Sequence, residues 1–150
     1  MARVLVIDDE PDVLLLCRVN LEHAGHEVLM AGDGLHGVEL ARSERPDVIV
    51  LDLMMPRMNG YDVLEALSGD TGTRSVPVLI LTARTRTEDQ LRGWRAGAAG
   101  YITKPFTPNS LTADVARLEH MSVAERDSYR SEALRVLDPG AGVDANDAAG

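Results

Sequence analysis

Short apolar runs rich in β-branched residues, separated by stretches of helical length, are the feature that most restricts the fold of this chain. The strongest strand candidates cover residues 4–7, 48–51 and 76–81, the last of them broken by Pro77. Weaker candidates cover 27–30 and 101–102. Runs that are apolar at successive positions are typical of strands buried on both faces of a parallel sheet. We therefore predict a sheet that is covered by helices on both sides.

The stretches between the runs predict the covering helices. They span residues 12–24, 35–43, 60–67 and 87–96, and turn residues such as Gly25 lie at their ends. Strands that alternate with helices imply right-handed crossovers between parallel strands. The expected fold is a doubly wound α/β domain with a five-stranded parallel sheet.

The chain is expected to continue past this unit with one extra helix. A fifth helix starts at Pro108, and Ser122 with Glu125 three residues later has the pattern of a capping box at the start of a sixth. We thus predict three segments, which are a domain at 1–120, a helical extension at 121–138 and a disordered, small-residue tail at 139–150.

The sixth helix has one apolar face, formed by Tyr129, Ala133, Val136 and Leu137. Two interpretations remain open. The helix packs on its own domain or frays, or it offers a surface to a partner or a second copy of the chain.

Composition narrows the class of protein. The net charge of −9 argues against direct nucleic-acid binding, because a phosphate backbone requires a basic face. No apolar run approaches the roughly 20 residues of a membrane span, and no signal peptide precedes the first strand. Cys17 is the single cysteine, so no internal disulfide can form. We expect a cytoplasmic protein without membrane attachment, in which Cys17 packs as a small apolar side chain.

Polar residues stand at the carboxyl ends of four predicted strands. Asp8 and Asp9 follow the first strand, Asp52 the third, Thr82 the fourth and Lys104 the fifth. Because ligands of open parallel sheets bind at this edge, these side chains are expected to converge.

Such a cluster has a specific chemistry. Neighbouring carboxylates repel one another, and a bound cation relieves the repulsion. Mg²⁺ prefers a few carboxylates together with phosphate oxygens, and a carboxylate can attack phosphorus. Phosphoryl transfer depends mainly on positioning and charge neutralisation, which a metal, an ammonium and a hydroxyl would supply. The cluster predicts a phosphoryl acceptor.

Five separated motifs, in matching order and spacing, resemble the receiver domain of bacterial two-component response regulators. The resemblance covers about residues 2–120. The motifs are Asp8-Asp9-Glu10-Pro11, the loop from Asp52 to Gly60, Thr82-Ala83, Tyr101-Ile102 and Lys104-Pro105-Phe106. The resemblance implies a flavodoxin-like sheet of order 2-1-3-4-5, as in the stand-alone, CheY-like members of the family.

The resemblance assigns roles to the residues of the cluster. Asp52 would be the phosphorylated aspartate. Asp9 would bind Mg²⁺ directly and Asp8 through water, with Asp52 and the backbone carbonyl of Met54 as further ligands. Lys104 would contact a phosphoryl oxygen, and the Lys104–Pro105 bond is expected to be cis. The cofactor would be Mg²⁺.

The resemblance also implies a switch. Thr82 would move toward the phosphoryl group and Tyr101 would rotate inward, changing the face built by the fourth helix, fifth strand and fifth helix. Trp94 lies on that face, either as a partly packed aromatic or as an interface anchor. Arg84 and Met54 would flank the acyl phosphate, with Met54 packed beneath its loop.

The expected partners are a sensor histidine kinase or a phosphotransfer protein, and an unknown downstream protein. We expect a phosphoacceptor that assists its own phosphorylation and autodephosphorylation, not an enzyme with a separate substrate. Ala99-Gly100 replaces two acids that help many DNA-binding members to dimerise, and a single-domain regulator without DNA-binding output is expected.

Two other classes stay open. One is a scaffold that acts without phosphorylation. The other is a Mg²⁺-dependent phosphatase of the haloacid dehalogenase type, which would need an acid where Met54 stands.

Overall fold

The computed structural model describes residues 1–140, in which five strands alternate with helices and a sixth helix follows. In chain order the elements are β1 (Arg3–Ile7), α1 (Pro11–His23), β2 (Glu27–Ala31), α2 (Gly34–Glu44), β3 (Val48–Leu51), α3 (Gly60–Ser68), β4 (Val78–Thr82), α4 (Thr87–Arg95), β5 (Gly100–Thr103), α5 (Pro108–His120) and α6 (Val123–Leu137).

The five strands form one parallel sheet in the order β2-β1-β3-β4-β5, which confirms the predicted fold. The chain runs outward from β1 to the edge strand β2 and then crosses back to β3. The strand order therefore reverses beside β1, and β1 and β3 are neighbours at the centre of the sheet. Their carboxyl ends meet at the place where open sheets of this kind bind ligands.

Alternate side chains of the strands enter two cores, one on each face of the sheet. Leu5 and Ile7 of β1 pack with residues of α2 and α3, including Val38 and Leu64. Val4 and Val6 point to the opposite face and pack with α1 and α5 through residues that include Cys17, Leu21, Leu111 and Val115. Each strand is buried on both sides, as its uninterrupted apolar sequence predicted.

Local chemistry explains where the elements begin. Strand β4 begins at Val78, two residues later than predicted, because Pro77 has no N–H to donate to the ladder. Asn59 and Asp62 form a capping box at α3, and Ser122 and Glu125 form the predicted one at α6. The predicted tail at 139–150 falls mostly on residues 141–150, which lie outside the described residues.

Helix α6 packs against α4, in agreement with the first of the two interpretations of the extension. Its Arg126 side chain donates to the Ser75 carbonyl at 2.8 Å, and its Tyr129 ring lies 5.8 Å from that of Trp94. Trp94 is only 5% exposed, since α6 covers it. None of the helices within residues 1–140 combines the length and hydropathy needed to cross a bilayer.

Candidate functional site

Two buried carboxylates stand side by side at the carboxyl edge of the sheet. Asp8 and Asp52 directly follow the neighbouring strands β1 and β3, and they are 1% and 3% exposed. The Asp52 N–H donates to the Ile7 carbonyl at 3.0 Å, and the Asp8 N–H donates to the Ala31 carbonyl at 3.1 Å. Backbone hydrogen bonds that continue the sheet thus hold both residues in place.

A wider acidic cluster surrounds this pair. Asp8, Asp9, Glu10 and Asp52 each place a carboxylate oxygen within 4.8 Å of the others, with Asp9 and Glu10 on the exposed side. The predicted residues are therefore brought together. Glu10 was not assigned to the site from the sequence, although the run of three acids Asp8-Asp9-Glu10 was a signal that it could belong there.

Lys104 is the cation of this cluster. Its Nζ lies 2.9 Å from Asp8 Oδ2, 3.2 Å from Glu10 Oε1 and 3.5 Å from Asp52 Oδ2. The Lys104 N–H donates to the Thr82 carbonyl at 2.8 Å, and the Lys104–Pro105 bond is cis, as expected. Burial alone would lower the pKa of Lys104, but the hydrogen bond and charge of Asp8 and the charge of Asp52 outweigh it and raise that pKa. The ammonium therefore stays protonated.

The charge balance of the cluster fits a divalent cation. Burial raises the pKa of Asp8, and the N–H of Glu10 and the Lys104 ammonium only partly oppose the shift. One ammonium cannot neutralise four carboxylates, and the ligand atoms available are hard oxygens at short separations. Magnesium is the ion that such oxygen sites with solvent access suit, so the residues present fit it.

The hydroxyl groups of Thr82 and Tyr101 meet at the backbone of Arg84. Thr82 is fully buried, and its Oγ1 accepts from the Arg84 N–H at 3.4 Å. The Tyr101 hydroxyl donates to the Arg84 carbonyl at 2.8 Å, and burial raises the pKa of that hydroxyl. The proposed switch pair is therefore joined through one residue of the loop between β4 and α4.

The loop between β3 and α3 folds tightly over Asp52. The Met54 N–H donates to Asp52 Oδ1 at 3.1 Å, and the Gly60 N–H donates to the Leu53 carbonyl at 3.0 Å. The Met54 side chain is 50% exposed, so the expectation that it packs beneath the loop is wrong, whereas Met55 is buried. With its N–H turned to Asp52, the Met54 side chain faces outward to a cavity.

That cavity, of about 420 Å³, lies between the two loops and is lined by Met54 and Arg84, the two residues expected to flank an acyl phosphate. The Arg84 side chain is exposed, and its guanidinium lies 3.4 Å from the Asp89 carboxylate. The Tyr61 hydroxyl donates to the Asp89 carbonyl at 3.2 Å, and Arg92 lies over the Tyr61 ring. The sequence carried no signal for this polar cluster.

Comparisons with known proteins agree with the geometry. The family model of the response regulator receiver domain matches residues 4–116. The chain is 43% identical over 118 residues to RpaA of Synechocystis, a DNA-binding dual master transcriptional regulator, covering 79% of this chain and 49% of RpaA. It is 41% identical over 111 residues to PilH of Pseudomonas aeruginosa, covering 74% of this chain and 92% of PilH.

Solved structures point to the same group of proteins. The chemotaxis protein CheY4 of Vibrio cholerae superimposes with a TM-score of 0.75 at 35% identity, covering 79% of this chain and 98% of that one. The chain spans about half the length of RpaA and nearly all of PilH. The family model, the strand order and the relatives all agree, and the chain therefore belongs to the response regulator receiver family.

Proposed function

We propose that this chain is a phosphorelay switch in which Asp52 accepts a phosphoryl group from a sensor histidine kinase or a phosphotransfer protein. Receiver domains as a family interact with such donors and bind Mg²⁺. The observation that carries the proposal is the buried Asp52 carboxylate, within 4.8 Å of three other acidic ligand atoms and 3.5 Å from the Lys104 ammonium.

The residues of the site divide the chemistry between them. A carboxylate oxygen of Asp52 forms the new bond to phosphorus as the donor's bond to phosphorus breaks, and the donor side chain leaves with the electron pair. The Lys104 ammonium neutralises charge on the transferred oxygens, and the Met54 N–H fixes one oxygen of Asp52. When bound by Asp8, Asp9 and the Met54 carbonyl, Mg²⁺ would add positive charge at the same oxygens.

The chain acts in this proposal as a phosphoacceptor, not as an enzyme that turns over a metabolite. Position 54 carries a methionine, which cannot serve as the second acid of a haloacid dehalogenase phosphatase. The intact set of Asp8, Asp52 and Lys104, joined by ion pairs, disfavours a purely structural scaffold, because buried charges are costly without a use for them.

The test is a measurement of intact mass after incubation with Mg²⁺ and acetyl phosphate. The expected result is the mass of one added phosphoryl group on the wild-type chain, and no addition when a chelator replaces Mg²⁺. Asp52→Asn should stay unmodified, because an amide is not a nucleophile toward phosphorus. Asp12→Asn, a change of the same kind at an exposed position of α1, should label like the wild type.

Three outcomes separate the candidate functions. Labelling that survives in Asp52→Asn would place the acceptor elsewhere. A wild-type chain that never gains mass would leave the scaffold as the better function. Continuous release of inorganic phosphate from a metabolite, without a labelled chain, would favour the phosphatase.

A further inference from the structure

Helix α6 lies over the residues that connect the candidate site to the surface. An open cavity of about 300 Å³ between α4, β5 and α6 is lined by side chains from all three elements. They are Gln90 and Trp94 of α4, Tyr101 of β5, and Tyr129, Ala133 and Leu137 among the residues of α6. Tyr101, whose hydroxyl contacts the Arg84 loop on one side, therefore borders α6 on the other.

The contacts that hold α6 in place come from several elements. The Arg117 guanidinium of α5 lies 4.4 Å from the centre of the Tyr129 ring, and the Trp94 ring of α4 lies 5.8 Å from it. Arg95 at the end of α4 pairs with Asp138 at 3.0 Å, and Arg126 donates to the Ser75 carbonyl at 2.8 Å. The helix is thus docked along its length on its own domain.

The docking is weak compared with the packing of the other helices. No residue of α6, which lies wholly within the described part of the chain, is fully buried. Tyr129 is 42% exposed and Val136 is 70% exposed, and the cavity leaves part of the contact unfilled. Elements with few buried apolar contacts open at low free-energy cost, so a small change at the contact is enough to release α6.

A chain of contacts leads to this helix from Thr82, which ends β4, the strand next to β3. Thr82 accepts a hydrogen bond from the Arg84 N–H, and the Arg84 carbonyl accepts one from Tyr101. The Tyr101 ring lies against Gly93 of α4 and borders the cavity under α6. If the Thr82 hydroxyl turns toward a phosphoryl group, the Arg84 backbone loses a partner, and Tyr101 and α4 shift with it.

We propose that α6 is an intramolecular cover of the α4–β5 surface and that phosphorylation of Asp52 releases it. This inference depends on the phosphoacceptor function proposed above. Release would expose Trp94, Tyr101 and the apolar face of α6 together. By linkage, a phosphoryl analogue must bind more tightly to a chain whose α6 is already undocked. The gain in affinity equals the factor by which the bound analogue favours undocking of α6.

The reporter is in the chain already, because Trp94 is the only tryptophan. Fluorescence quenching by acrylamide is measured on the full-length wild-type chain with and without Mg²⁺ and acetyl phosphate, and intact mass is measured on the same samples. We expect Trp94 to be protected before labelling and to become accessible in proportion to the labelled fraction. Asp52→Asn should remain protected under both conditions.

A second arm perturbs α6 directly. Ala133→Glu places a carboxylate in the apolar contact and should expose Trp94 without any phosphodonor. Ser131→Glu makes the same change of charge at an exposed position of the same helix and should not. With Mg²⁺ present, Ala133→Glu should bind beryllium fluoride about fivefold or more tightly than Ser131→Glu, the low end of coupling between linked sites. Tyr129→Ala provides a milder second variant, and circular dichroism confirms that each variant is folded.

The outcomes separate this inference from the function on which it depends. A labelled chain in which Trp94 stays protected would make α6 a fixed part of the domain and overturn the inference alone, as would equal beryllium fluoride affinities for the two glutamate variants. A chain that gains no mass would overturn both proposals. Trp94 that is equally accessible in the wild type and in Ala133→Glu would contradict the cover itself.

Discussion

Replacing Gly60 by alanine tests how closely the loop after β3 approaches Asp52. A Cβ at this position would lie 2.5 Å from the Asp52 carbonyl oxygen and 2.6 Å from the Leu53 Cα. Ordinary contact begins at 3.4 Å, so the overlap is about 0.9 Å, well inside the repulsive part of the potential. Both neighbours are backbone atoms of the segment that directly follows the central strand β3, and they cannot rotate away as a side chain could. Helix α3 must therefore move.

The size of the effect follows from this overlap. Overpacking a well-filled site costs about 1–3 kcal/mol, and the rigid neighbours place Gly60→Ala near the upper end. The same movement would strain the hydrogen bond of 3.0 Å from the Gly60 N–H to the Leu53 carbonyl, which adds about 1 kcal/mol. Together these contributions predict a loss of about 4 kcal/mol in the free energy of unfolding. Labelling by acetyl phosphate should also be slower, because the clash falls on the acceptor residue itself.

Urea unfolding followed by far-ultraviolet circular dichroism measures the first effect, and mass-resolved labelling measures the second. The matched control is Gly69→Ala, where the Cβ would lie 3.4 Å from the Glu65 carbonyl oxygen and the backbone φ is −80°. That variant should range from unchanged to about 1 kcal/mol more stable. A Gly60→Ala chain within about 0.5 kcal/mol of wild type would refute the close approach.

Two further predictions concern buried side chains away from the site. The Thr73 hydroxyl is buried and donates to the Leu67 carbonyl at 2.7 Å. Thr73→Val should therefore lower the free energy of unfolding by about 1–2 kcal/mol, whereas Thr73→Ser keeps the hydroxyl and should retain most of the wild-type stability. Equal urea midpoints for the two variants would contradict this. Burial raises the pKa of the Cys17 thiol from 9.0 to about 12. A thiol reagent at pH 8 should therefore label the chain in urea but not the folded chain. Labelling of the folded chain at the rate of the denatured chain would contradict the burial. Because the unfolded thiol ionises first, this group should also lower stability as pH rises from 9 toward 12.

The sheet was predictable because its signal is local. Apolar runs such as Val48–Leu51 identify a doubly buried strand without knowledge of its neighbours, and the topology of parallel sheets then brings the residues after each strand to one edge. Asp8, Asp52 and Lys104 converge for that reason. The start of β4 was misplaced by two residues because the apolar run includes Val76, which precedes the break at Pro77.

The remaining features depend on contacts that no local pattern encodes. The ion pair between Glu10 and Lys104 joins residues that are 94 positions apart in the chain. It depends on the direction of both side chains, which the strand pattern does not specify. Trp94 could be assigned neither as exposed nor as buried, since its burial depends on whether α6 folds back over α4. Helix α6 carries too little apolar surface to determine its own docking partner.

The backbone bond from Asp52 to the Ile7 carbonyl has a consequence for redesign of this protein. Because the acceptor and the acidic residues beside it are located by the hydrogen-bond ladder of two adjacent strands, the reacting atoms keep their spacing as long as the strand register holds. The helices on either side do not set that spacing. Their outer surfaces can therefore be exchanged to recruit different donors or readers while the same chemistry is retained at the centre.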